Sequence, residues 1–305
     1  MRSVRGIYLL AISLVSFLNL KAQVEDSAFV MYQKDSAIIP ETDPTTLFFQ
    51  EGEKTTIPDK ILIVTKSRKT LPLTKLLKGI YTATGQWVGA QTDSMDSYIE
   101  YTFADLDNDG KKELLIYNYT GGAHCCDEIY IFKSIAANKY QHVVKMFGGH
   151  TVITSKKEFE FSFTESFGYF FTCFACGFTD TTDGAPIYVD NITLKYNKGK
   201  VTVLPGDAEL KSVINDNLGK LCEQPYVKLD SEIPMDEGLR KEVAMNLVVY
   251  YYSFGRNLAA TQQLFNKYYK YPDAKKIWTA FTKNLLYIKQ DNDFSSVPVI
   301  NFRFR

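Results

Sequence analysis

A chain of 305 residues is long enough for one large hydrophobic core or two modest ones. Its 35 Lys plus Arg balance 35 Asp plus Glu, so no global basic field exists to draw in nucleic acid or an anionic membrane surface, and no nucleic-acid partner is expected. Hydrophobic residues at 45% and aromatic ones at 14% fit a packed globular protein, and the 20 Tyr and 21 Phe lean toward strands.

The first residues read as an address rather than as structure. Arg2 and Arg5 form a positive start, residues 7–20 are apolar apart from Ser13, Ser16 and Asn19, and Lys21-Ala22-Gln23 fits a processing region. Residues 1–23 are therefore expected to be a signal peptide, with an uncleaved anchor as the competing reading. The apolar run is short and polar for a membrane span, and no Cys lies at the boundary to carry a lipid. Export to the periplasm or the extracellular space is expected, with no stable membrane insertion after cleavage. Residues 24–57 are polar and contain Pro, as in a linker or arm.

Residues 58–205 carry strand signals. Ile61-Leu62-Ile63-Val64 looks like a buried strand, and residues 71–81 suit either an extended piece or a short helix. Residues 97–103 alternate, with Ile99, Tyr101 and Phe103 on one side. Next comes Asp105-Leu106-Asp107-Asn108-Asp109-Gly110-Lys111-Lys112-Glu113, followed at once by apolar Leu114-Leu115-Ile116-Tyr117. Carboxylates at loop positions one, three and five can converge on one hard cation. Gly110 permits the sharp turn, Lys111 can offer its carbonyl, and Glu113 can close the shell at position nine. Position twelve, where an EF-hand has its bidentate Glu, is Ile116, so the loop is expected to join strands rather than helices. A solvated acidic turn is the plain alternative.

Residues 128–133 read as a further strand. Phe159, Phe161 and Phe163 make a stripe of period two, more often a buried sheet face than a platform for stacking ligands. Residues 192–196 and 201–204, joined through Asn197-Lys198-Gly199-Lys200, read as a hairpin in which Asn197 and Gly199 can take positive φ.

After Pro205 the period becomes helical. Asp207 can cap a helix bearing Leu210, Val213, Ile214, Leu218 and Leu221. A second helix over 236–254 has Leu239, Val243, Leu247, Tyr250 and Phe254 along one side. Helices at 258–270 and 273–289 follow, separated by Tyr271-Pro272, and Ile277, Phe281, Leu285 and Ile288 stripe the last. Residues 297–304 alternate enough for a late strand. The expected fold class is α+β, a mostly antiparallel β domain carrying the loop (58–205) followed by a helical region (206–305).

Cysteine usage gives a second signal. Gly121-Gly122-Ala123-His124-Cys125-Cys126 follows the strand at 114–118, and Cys173-Phe174-Ala175-Cys176 lies among aromatics. Exported chains meet oxidising conditions, so Cys125, Cys126, Cys173 and Cys176 are disulfide candidates. Adjacent cysteines pair awkwardly, which favours cross-bridges from Cys125 and Cys126 to Cys173 and Cys176. Zinc on His124 and these thiols is a competing reading, but Cys125-Cys126 lacks the spacing of a zinc knuckle. A redox pair at Cys173 and Cys176 would ordinarily open a helix in a βαβ unit, whereas here Phe170-Phe171 precedes it and Gly177-Phe178 follows.

The Asp-x-Asp-x-Asp-Gly-x-x-Glu loop and its apolar strand resemble the calcium loop of FG-GAP and VCBS-type repeats, found in exported proteins and integrin propellers. The Gly-Gly-Ala-His-Cys-Cys turn is similar to one in bacterial exported proteins of uncharacterised function that carry such a loop. The resemblance covers residues 101–132. It implies calcium ligation by Asp105, Asp107, Asp109, Lys111 (backbone) and Glu113. Asp180-Thr181-Thr182-Asp183-Gly184 lacks the three-carboxylate spacing, and a single loop does not make a propeller, which needs several blades. The expected function is a non-enzymatic exported binding or structural module with a protein or glycan ligand. The alternative is a secreted or periplasmic hydrolase with structural calcium. No Ser nucleophile elbow or His-Glu-x-x-His helix supports that alternative, and the only histidines are His124, His142 and His150.

Overall fold

The computed structural model describes residues 60–88, 98–119, 127–147, 151–153, 158–178, 187–229 and 236–296. The expected signal segment and arm, the turn with His124, Cys125 and Cys126, the 180–184 turn and the late strand at 297–304 lie outside the described residues.

The fold is α+β. Strands β1 (Leu62–Val64) and β2 (Thr70–Pro72) precede helix α1 (Leu73–Val88), so residues 71–81 contain the end of a strand and the start of a helix. Strands β3 (Tyr98–Ala104), β4 (Glu113–Tyr119), β5 (Asp127–Ala136) and β6 (Lys139–Phe147) complete a six-stranded sheet in the order β2-β1-β6-β5-β4-β3. Its pairs are antiparallel except β1 with β6. A second, fully antiparallel sheet contains β7 (Thr151–Ile153), β8 (Glu158–Ser162), β9 (Asn191–Asn197) and β10 (Lys200–Val203) in the order β10-β9-β8-β7.

Alternation along β3–β6 gives the large sheet two apolar faces. Ile99, Tyr101, Leu114 and Ile116 meet Leu73 and Leu77 of α1 in a small cluster. Leu115, Tyr117, Ile129 and Ile131 point the other way, into a larger cluster with the second sheet and the helices. Phe159, Phe161 and Phe163 are fully buried there, so the period-two stripe is sheet core. Phe161 and Phe163 sit edge to face at 5.2 Å, and Phe163 stacks on Tyr252 at 5.2 Å. That cluster runs unbroken across residue 205, from sheet residues to helix residues.

The helical part comprises α2 (Thr164–Phe167), α3 (Ala208–Cys222), α4 (Leu239–Ser253), α5 (Leu258–Tyr268) and α6 (Ala274–Asp291). Asp207 caps α3 as expected, accepting from the Leu210 amide at 2.8 Å. Ile214, Leu218 and Leu221 form its buried face, while Val213 is 39% exposed and falls outside it. Helix α6 buries Ile277, Phe281, Leu285 and Ile288.

Helix α4 departs from the expected one-sided stripe. It is buried on almost every side, including Arg240, Lys241, Glu242 and Asn246. The chain tolerates this because most of these polar groups meet partners, Glu242 Oε1 being the exception. Arg240 Nη1 donates to Asp236 at 2.8 Å, its Nη2 pairs with Asp273 at 2.8 Å, and Asn246 donates to Ile187 O at 3.0 Å. After α6, Asn292 exchanges hydrogen bonds with the Phe147 backbone, and Asp293 accepts from the Lys145 amide and contacts His142 and Lys66. The end of the helical part is thereby tied to β6. Among the described residues, no helix is long and apolar enough to cross a membrane.

Candidate metal centre

The β3–β4 connection folds as the spacing of its carboxylates suggests. Asn108 (φ 59°) and Gly110 (φ 83°) take left-handed conformations that reverse the chain between the aspartates. Asp105 accepts from the amides of Asp109 (3.1 Å) and Gly110 (3.0 Å), and Asp109 accepts from the Lys111 amide at 2.8 Å. Asp105, Asp107 and Asp109 each place a carboxylate oxygen within 4.8 Å of the others. Two oxygens on opposite sides of a calcium ion, each at about 2.4 Å, stand about 4.8 Å apart. Oxygens this close together suit shared coordination of one ion. The donor set is hard oxygen throughout, as calcium requires, and no thiol or imidazole belongs to it.

Asp107 adds a sharper feature. Its Oδ2 accepts from the Lys198 amide at 2.6 Å, whereas its Oδ1 is buried with no hydrogen-bond partner. A buried carboxylate oxygen without a donor is costly unless a cation meets it. Lys198 (φ 48°) and Gly199 (φ 78°) are the two central residues of the β9–β10 turn. The positive-φ pair is thus Lys198 and Gly199, not Asn197 and Gly199. Asn197 pairs with Lys200, which leaves the two residues between them to form the turn, and Asp107 holds the strained Lys198 from outside.

Glu113 stands beside the triad but turns inward. Oε2 accepts from the Leu106 amide at 3.0 Å, and Oε1 accepts from the Tyr196 hydroxyl at 3.0 Å. Burial raises its pKa; the Leu106 amide and Tyr196 hydroxyl pull it down, while Asp107 and Asp109 push it up again, and the balance is a raised value. The structure therefore brings Asp105, Asp107 and Asp109 together and makes Glu113 the bolt between loop, strand and β9. Lys111 is exposed and donates its amide to Asp109.

A second polar constellation gave no signal in the sequence. Residues 171–178 lie on the start of α4. Asp236 N–H donates to Phe171 O at 2.7 Å, Thr172 Oγ1 donates to Asp236 O at 2.7 Å, and Lys241 Nζ donates to the carbonyls of Phe174 and Cys176. Glu242, completely buried, accepts from the Ile187 amide at 3.2 Å, and burial pushes its carboxyl up to about 7 against the pull of the Ile187 and Phe178 amides. The charged triplet Arg240-Lys241-Glu242 is interior through packing against residues distant in sequence.

The cysteines also need a correction. Cys173 is bonded to Cys176, so the cross-bridges expected from Cys125 and Cys126 are not formed to these two residues. A tight turn, with the Cys176 amide on Cys173 O at 3.2 Å, brings their Cα atoms to 5.1 Å, within ordinary disulfide range. With both thiols engaged, they are not available as zinc ligands. His124, Cys125 and Cys126 lie outside the described residues.

No family model, curated protein or solved structure matches the chain. Its function is therefore read from the loop and its surroundings.

Proposed function

We propose that the chain is an exported, non-enzymatic binding or structural module whose 105–113 loop holds a calcium ion. The observation that carries this reading is the Asp105–Asp107–Asp109 triad with the partnerless, buried Oδ1 of Asp107 at its edge. The resemblance of the loop to FG-GAP and VCBS-type calcium loops supports it, as does the leader-like start of the sequence. Bound calcium would offset two of the three negative charges crowded there. The chain's own residues then do the structural work: Asp107 fixes the β9–β10 turn through Lys198, and Glu113 ties β4 to β9 through Tyr196. The loop thereby joins the edge of one sheet to the end of the other. A protein or glycan is the proposed ligand of the module.

The hydrolase alternative rests on acidic groups or His124; His124 lies outside the described residues, and the raised carboxyl of Glu242 is 0% exposed. Terbium replaces calcium in oxygen sites and glows when a nearby tyrosine is excited, and Tyr196 is hydrogen-bonded to the loop. Terbium should give a saturable signal that calcium competes away and that Asp107→Asn loses. A signal that never saturates, or that Asp107→Asn leaves intact, refutes the assignment.

A further inference from the structure

We propose that Cys173–Cys176 is an exchangeable disulfide, a redox site that accepts two electrons from a dithiol partner, rather than a structural crosslink. Four observations meet here. The bond closes a loop of only a few residues, where crosslinking constrains the unfolded chain least. The same segment is already held by Lys241 on the carbonyls of Phe174 and Cys176, and by the Asp236 amide on Phe171 O. These bonds hold the segment alongside the disulfide.

Neither cysteine is fully buried, and Ala175 and Gly177 beside them are exposed, so the turn lies at the surface. Cys173 Sγ accepts from the Cys176 amide at 3.0 Å, and the Lys241 ammonium is anchored on the same turn. An amide and a nearby cation favour thiolate over thiol. Cys222 is the contrast: half-buried among apolar groups, its thiol is pushed up to about 12 by burial. Sequence alone argues against a redox pair because no helix follows Cys176. In the structure a helix from elsewhere in the chain, α4, starts against the residues just after Cys176, its Gly238 and Arg240 amides donating to Asp236. The start of α4 packs so closely that a Cβ on Gly238 would lie 2.8 Å from Phe178 N and 2.9 Å from Gly177 Cα.

A cleft of about 550 Å³ reaches as far as Thr172, the residue before Cys173, and is lined in part by Glu165, Tyr169, Phe171 and Lys283. Tyr169 is 64% exposed and its ring meets Phe174 at 5.5 Å, a surface for the peptide that carries the partner's thiols. In the exchange, a partner thiolate attacks Cys176 Sγ. The S–S bond breaks, and Cys173 leaves as the thiolate stabilised by the Cys176 amide. The partner's second thiolate then attacks the mixed disulfide and releases Cys176. Two electrons and two protons pass from partner to pair: the partner ends as a disulfide, and Cys173 and Cys176 end as thiols, the protons moving through solvent.

The test uses the full chain in glutathione buffers of graded ratio, with thiols trapped by alkylation and read peptide by peptide. Cys173 and Cys176 should become labelled together while the native tryptophan and tyrosine fluorescence persists and Cys222 stays unlabelled. Labelling that appears only when the native fluorescence is lost overturns the proposal in favour of a structural crosslink. Cys176→Ser keeps the amide at position 176 and leaves Cys173 a single thiol. Its alkylation at neutral pH should outpace that of Cys222 by at least about tenfold; equal rates overturn the assignment of Cys173 as the leaving thiolate.

Discussion

Replacing Asp107 by Asn leaves the Lys198 amide an acceptor of the same shape but removes one charge from the aspartate triad. At calcium concentrations about a hundred times Kd, binding to the native state alone adds about 2.7 kcal/mol. With a Kd on the order of 10⁻⁴ M, ordinary for extracellular modules, about 10 mM calcium reaches that ratio. A fold of this size shifts by about 2–4 °C per kcal/mol, so calcium should raise the wild-type Tm by about 5–10 °C. Asp107→Asn should lose most of that rise. Without calcium the order reverses. Three carboxylates within 4.8 Å of one another repel by about 1 kcal/mol per pair in a water-like dielectric, less with salt, so the variant should match or slightly exceed the wild type in chelator. Paired thermal scans with chelator and with calcium separate these effects. Superimposable wild-type curves in the two conditions, or an Asp107→Asn variant that still gains the full calcium shift, refute the reasoning.

Four other perturbations probe the frame around the site. Arg240→Ala leaves Asp236 and Asp273 without their buried partner and should cost about 3–5 kcal/mol in urea unfolding. Glu242 is raised in the folded state, so its contribution is present below its unfolded pKa and is lost as pH rises from about 4.5 to about 7, by roughly 3 kcal/mol; Glu242→Gln should flatten that decline in a stability–pH series. Asp293 behaves oppositely. Burial alone would raise it, but His142, Lys66 and the Lys145 amide hold it well below the usual carboxylate range. Its contribution is therefore present above its unfolded pKa of about 3.9 and lost on acidification, and Asp293→Asn should remove that acid limb and cost about 1.5–3 kcal/mol near neutrality. Asp207→Ala removes the cap of α3 and should cost about 1 kcal/mol by the same urea assay.

The legible parts of this chain are those specified by neighbours in sequence. The aspartate spacing with Gly110 marked a loop between strands with converging carboxylates, and the loop does bring Asp105, Asp107 and Asp109 together. Asp207 before Leu210, and the stripe Ile277, Phe281, Leu285 and Ile288, marked two helices correctly because caps and 3.6-residue periods are local properties. What escaped depends on distant partners. Nothing near Lys241 in sequence says that its ammonium will meet the carbonyls of Phe174 and Cys176. Lys198 adopts positive φ because a turn of two residues demands it and because Asp107, 91 positions away, holds its amide. The inward turn of Glu113 depends on Tyr196, 83 positions away. The Cys173–Cys176 bond was obscured for another reason: the helix that seats it is contributed by a later part of the chain.

The tie between Asp293 and strand β6 has a kinetic consequence. Lys66, His142 and Asp293 meet at one point although 227 positions separate the first from the last. Contacts of such span close large loops and form late, so the rate of folding should be governed by the arrival of the distal polypeptide at a sheet already assembled. Until residues 292 and 293 dock, the Phe147 and Lys145 amides await their side-chain acceptors. The residues after the last helix thus act as a latch between the helical region and the β-sheet.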